Sequence, residues 1–147
     1  MTTFDDEKYM RLAYEQAFKG YSEGGCPIGG VLVDNESGKI LGAGHNALVQ
    51  EGNPVIHGEM AAMRAAGRMT NRHNTTMYTT YVENASSDET IHFMRARGIE
   101  VIVMDKNTSP AARDCIALCA RFKAEKPALW LEDWGGGANQ TIGKQLF

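Results

Sequence analysis

The chain has 147 residues, one domain's worth of sequence and enough to bury a core, with 43% hydrophobic and 22% charged residues in the balance of a soluble globular protein. With 15 basic against 18 acidic residues the net charge is −3, and no Lys/Arg cluster offers the basic stripe that a nucleic-acid backbone requires. Three scattered cysteines (Cys26, Cys115, Cys119) argue against a disulfide framework, no apolar run reaches bilayer length, and Met1 to Lys8 is too acidic for a signal or transit peptide, so cytoplasm or nucleus is the expectation.

From Asp5 to Phe18, apolar residues recur at Tyr9, Met10, Ala13, Tyr14, Ala17 and Phe18, the pattern of an amphipathic helix; Gly20 and Gly24-Gly25 are its expected end. Ile28 to Val33 and Lys39 to Ala43 predict two strands joined by a turn at Asp34 to Gly38. A loop is expected from Gly44 to Pro54, then a short helix from Gly58 to Ala66 stopped by Gly67. Thr75 to Tyr81 reads as a strand, Asp88 to Arg97 as a helix ending at Gly98, and Ile99 to Met104 as a buried strand of the parallel kind. Pro110 to Lys123 predicts a last helix with proline in its first turn. Trp130 to Trp134 is aromatic and acidic, and Gly135-Gly-Gly137 opens a polar tail expected to be flexible. The order predicts an α/β fold with helices on both faces of a sheet and a right-handed crossover between the last two strands.

One short pattern carries chemistry. Pro54-Val-Ile-His57-Gly58-Glu59 lies where a loop enters a helix, and a His followed two residues later by Glu is half of the signature of zinc nucleobase deaminases. In that chemistry His57 supplies a neutral imidazole to the metal, and Glu59 moves a proton from the bound water to the ring nitrogen and the leaving ammonia. The plainer alternative is a helix start whose acid suits the dipole.

The surroundings extend the pattern. Gly25-Cys-Pro27-Ile28-Gly29-Gly30 precedes an apolar strand; Gly44-His45-Asn46, His57-Gly58-Glu59 and Thr75-Thr-Met-Tyr78-Thr79-Thr80 follow, with Pro127-Ala-Leu-Trp130-Leu-Glu-Asp133 near the end. In order and spacing this resembles the fungal cytosine deaminases of the cytidine/deoxycytidylate deaminase superfamily. The resemblance implies a three-layer α-β-α sandwich over residues 1–134 with a tail at 135–147, and hydrolysis of cytosine to uracil and ammonia in pyrimidine salvage. It implies Glu59 as the proton carrier and His57 as a zinc ligand. It also implies Asn46, Gly58, Ile28, Trp130 and Asp133 around a pyrimidine base, and a homodimer, with neither nucleic acid nor membrane as partner. Other readings stay open: Asn46 as a turn residue, Ile28 as core, Trp130 as packing.

The resemblance has a gap. After Thr80 the family continues with a Pro-Cys-x-x-Cys turn, a helix and a strand, whereas here Thr80 is followed by Tyr81-Val82-Glu83-Asn84 and no Pro-Cys-x-x-Cys occurs in the chain. A catalytic zinc takes three protein ligands and an open position. Cys115 and Cys119 stand four apart on one predicted helix, a spacing that permits shared ligation, yet thiols on an apolar helix face are more often core. Cys26 is a single thiol, and His45, His73 and His92 read as surface or loop residues. The sandwich is therefore expected to lack one helix and one strand, with Ile99 to Met104 moved beside Thr75 to Tyr81. Zinc and turnover are in question for this chain, and the alternative function is a catalytically inactive relative that binds a base or a partner subunit.

Overall fold

The structure, a computed structural model, describes residues 5–53, 56–68, 74–80, 85–102 and 106–133, the side chains of 85–90 and 132–133 excepted. Helix α1 (Asp6–Ser22) starts on Asp5, whose carboxylate accepts from the Lys8 N–H at 3.1 Å, with Asp6 and Glu7 favourably placed in the first turn. It runs four residues past the expected end. Gly20 lies inside it because the His45 ring rests there: a Cβ at Gly20 would stand 3.0 Å from His45 Nδ1. The stop is Gly24, at φ +95°, with the Gly25 N–H returning to the Gly20 carbonyl.

Strands β1 (Gly29–Asp34) and β2 (Ile40–His45) form the expected hairpin, β2 reaching two residues beyond the expected Ala43. Asp34 organises the turn. Its carboxylate accepts from Ser37 Oγ and from the N–H groups of Glu36 and Ser37, and the Ser37 hydroxyl first of all holds its pKa below the ordinary value. The stretch expected to be loop contains a single turn of helix, α2 (Leu48–Glu51), initiated where Asn46 Oδ1 accepts from the Leu48 N–H.

Helix α3 (Gly58–Ala66) has the expected bounds. Strand β3 (Thr75–Thr79) pairs antiparallel with β1, and β4 (Ile99–Ile102) pairs parallel with β3, giving the order β2-β1-β3-β4. The expected move of the last strand beside β3 is thus observed; the expected ends Tyr81 and Met104 lie outside the described residues. Helix α4 (Ala85–Ala96) begins three residues before Asp88, α5 (Pro110–Glu125) starts as expected and runs two residues past Lys123, and α6 (Pro127–Asp133) occupies a segment to which no element was assigned.

Alternation along the strands divides the core. Val31, Val33 and Tyr78 point to α1 and α5, where they pack with Tyr9, Met10, Ala13 and Ala111. Leu32, Met77, Ile99 and Val101 point the other way, to Ala62 of α3 and to Ile91 and Met94 of α4. The result is the three-layer α-β-α sandwich, with α1 and α5 on one face and α3 and α4 on the other. The tail at 135–147 and His73 lie outside the described residues.

Candidate active site

The geometry begins with glycines. Helix α3 comes so close to the hairpin that a Cβ at Gly30 would stand 2.9 Å from the Gly58 carbonyl oxygen, and one at Gly42 2.3 Å from that of Ala62. This contact seats the start of α3 against the beginning of β1 and the end of β3. His57 is the N-cap, half-buried with extended backbone, and its carbonyl accepts the first helical bond from the Ala61 N–H at 2.9 Å. The N–H groups of Gly58, Glu59 and Met60 precede that bond and have no acceptor within the helix.

Glu59 follows in the first turn and is 5% exposed. Thr79 Oγ1, from β3, donates to Glu59 Oε1 at 2.6 Å in a buried hydrogen bond. A donor from the neighbouring strand thus holds the Glu59 side chain in one orientation in the first turn of α3. Thr80, one residue on, accepts the Gly29 N–H at its Oγ1 (2.8 Å) while its own N–H returns to the Gly29 carbonyl, closing the end of the β1–β3 pair. Spacing pointed to His57 and Glu59 but not to Thr79. The available signal was a second threonine pair, Thr79-Thr80, closing a strand that opens on Thr75-Thr76.

Asn46, 2% exposed, is tied to the same place: its N–H donates to the Ile28 carbonyl at 2.8 Å. With Oδ1 engaged by Leu48, the amide nitrogen keeps two donors. A Cβ at Gly58 would lie 3.0 Å from the Ile28 carbonyl oxygen, so Ile28, Asn46, Gly58 and Glu59 form one neighbourhood. Trp130 reaches it from α6. It is half-buried and packs with Cys26, Ile28, Cys119 and Phe122, its ring 6.5 Å from that of Phe122. The side chain of Asp133 lies outside the described residues.

The donor set for zinc is a different matter. All three cysteines are buried and located: Cys26 just before β1, Cys115 and Cys119 on α5, on the sheet face away from α3. Cys119 donates weakly to the Pro27 carbonyl at 3.6 Å. Burial pushes the thiols of Cys115 and Cys119 up to about 12, and both sit in the packing between α5 and the sheet. His45 is bound between the Asn46 carbonyl and Glu23, and His92 is exposed on α4. Among the described residues no group of three His, Cys, Asp or Glu is placed to hold a metal ion. The described residues do not fit a three-ligand zinc site; among them His57 is a single donor.

The sequence pattern of the cytidine and deoxycytidylate deaminase zinc-binding region matches residues 3–83. A cytosine deaminase from Candida albicans is 34% identical over 155 residues, covering 90% of this chain and 99% of its own length. The alignment is longer than the chain itself, so this chain carries gaps against that relative. A tRNA-specific adenosine deaminase from Buchnera aphidicola is 36% identical over 78 residues, half of each chain. Among solved structures, a guanine deaminase from Nitrosomonas europaea superposes with a TM-score of 0.58 at 17% identity, over 84% of this chain and 87% of its own, a likeness of fold. Placed beside the His57–Glu59 start of α3 and the α-β-α layers, these matches assign the lineage: the chain belongs to the cytidine and deoxycytidylate deaminase family.

Proposed function

We propose that this chain is a cytosine-deaminase-type protein whose site takes a pyrimidine base, and that the reaction of its lineage is hydrolysis of cytosine to uracil and ammonia. The observation that carries the reading is the buried Thr79–Glu59 hydrogen bond at the start of α3, two residues from His57. Amide donors on Asn46 and a fixed Glu59 side chain are the kinds of group that pair with a planar heterocycle bearing carbonyl and ring-nitrogen groups. A pyrimidine is favoured over a purine because similarity to the Candida enzyme runs through the C-terminal segment that contains Trp130, whereas similarity to the tRNA deaminases stops at half the chain.

Hydrolysis requires an activated water, and the described residues do not make the metal set that would supply it. For this polypeptide the reading is therefore base binding without turnover. Elemental analysis, cytosine turnover and calorimetric titration of the base in one preparation test it. Saturable binding weakened by Asn46→Ala, with no zinc and no turnover, is the expected result. About one zinc per chain, lost in His57→Ala together with turnover, would establish a working hydrolase instead.

A further inference from the structure

We infer that the open edge of β2 is a docking groove for an extended acidic segment of another protein, which adds to the sheet as a further strand. The inference is independent of the base-binding reading, since none of the residues placed around the base lines this groove. In the order β2-β1-β3-β4, β2 stands at one end. Which of its backbone groups face outward follows from β1. Gly29 gives both its N–H and its carbonyl to Thr80, on the β3 side, and so turns neither toward its β2 partner His45. Asn46, one residue on, donates its N–H inward to the Ile28 carbonyl. Alternation then directs the N–H and carbonyl groups of Ala43 and His45 away from the sheet, and among the described residues no strand pairs with them. Such an edge is a template for pairing.

A cavity of about 230 Å³ lies along this edge, with Lys19 of α1 on one wall and Arg64 of α3 on the other. Ala43, Gly44 and Ala61 line it between them and carry no long side chain, so a second backbone can come to pairing distance. The volume falls below the roughly 300–1,000 Å³ of ordinary small-molecule pockets, which favours side chains of a segment over a free ligand. No Asp or Glu lines the cavity. Glu51 and Glu23 stand nearby but are engaged, Glu51 with Arg64 Nη1 at 3.1 Å and Glu23 with the His45 ring at 3.4 Å. The Arg64 guanidinium keeps donors on Nε and Nη2, and Lys19 has no ion pair among the described residues. Successive side chains of an added strand point to opposite faces. Two consecutive acidic residues therefore send one carboxylate to the Lys19 side and the next to the Arg64 side, while the main chain pairs with Ala43 and His45.

The test is NMR titration of the isotope-labelled full-length protein with a capped synthetic peptide of about eight residues. The peptide alternates Val and Thr around a central Glu-Glu, and its Gln-Gln counterpart is the control. Saturable binding of the Glu-Glu peptide is expected, about fivefold or more tighter than that of the control. Hydrogen exchange should slow at the Ala43 and His45 amides and stay unchanged at Gly42 and Gly44, whose groups already face β1. Ala43→Pro removes an N–H that no bond of the sheet uses, which an edge strand tolerates, and is expected to abolish binding while thermal melts confirm the fold. Lys19→Glu, an exposed change, is expected to weaken binding about fivefold. No binding at millimolar concentration, equal binding of the two peptides, or unmoved Ala43 and His45 amides in the complex overturns the inference. Self-association of the free protein that Ala43→Pro abolishes would identify a second copy as the occupant, and overturns the assignment to another protein.

Discussion

Single atoms decide how closely α3 can approach the sheet. At Gly42 the nearest obstacle to a side chain is the backbone oxygen of Ala62, 2.3 Å from where a Cβ would sit, and backbone cannot step aside as a flexible side chain does. Gly42→Ala is therefore expected to cost ~2 kcal/mol or more, within the range for overpacked cores, and to displace the start of α3 with it. Urea unfolding measures the first effect, and weakened base binding the second. The buried thiols give a second residue-scale expectation. Cys115 and Cys119 are raised from the ordinary 9.0 to about 12 by burial, so between those values the folded chain keeps protons that the unfolded chain releases. Stability is then complete below pH 9 and falls as the pH rises from 9 toward 12. Tyr78 acts in the same direction: burial and its bond to Asp6 push its hydroxyl up. The thiol share is identified by comparing urea midpoints at pH 8 and pH 10 with those of Cys115→Ala and Cys119→Ala, whose decline should be shallower. Equal declines would assign the effect elsewhere.

At the scale of elements, α1 and α5 are joined by a shared cap. Ser109 is the N-cap of α5, accepting from the Ala112 N–H at 3.0 Å, and its hydroxyl donates to Glu7 of α1, whose other oxygen accepts from the Ala111 N–H at 2.8 Å. Ser109→Ala and Glu7→Ala are each expected to cost ~1–2 kcal/mol. Because the two side chains share one network, the double variant should cost less than the sum, which a double-mutant cycle by denaturant titration measures. None of this pairing could be read from spacing, since Glu7 and Ser109 stand 102 residues apart. The same limit explains which parts of the fold were legible. α3 and α5 carry their own stops and starts in Gly67 and Pro110, and both lie where the sequence placed them. α1 was drawn short because Gly20 looks like a breaker until His45 is found resting on it. α2 and α6 have four and seven residues, too few to display a periodic face. At the site, His57 and Glu59 were visible because their relation is local. Thr79 was not, because its relation to Glu59 exists only once β3 lies beside α3.

For the molecule as a whole, β4 is a strand of interior composition placed at the edge of a four-stranded sheet. Its Ile99 and Val101 are still 1% and 5% exposed because α4 covers them, so a parallel β-α-β unit has closed over the place of a longer one. That accounts for a chain that can fold without the paired cysteines, and it separates folding from metal binding. Zinc or chelator is accordingly expected to leave the melting temperature unchanged, since a ligand stabilises only what it binds in the folded state. The converse is also testable. Inserting, directly after Thr80, a helix and strand that open with Pro-Cys-x-x-Cys would bring two thiolates to the end of β3, where Thr79 already meets Glu59 and where α3 presents His57. A three-ligand site would then exist, and about one zinc per chain should bind, with a melting temperature that rises with free zinc and returns to its starting value in His57→Ala. Zinc stabilisation of the uninserted chain would show that ligands other than the buried cysteines complete the site. An inserted chain that folds yet takes no zinc would show that the start of α3 no longer has the geometry of its family.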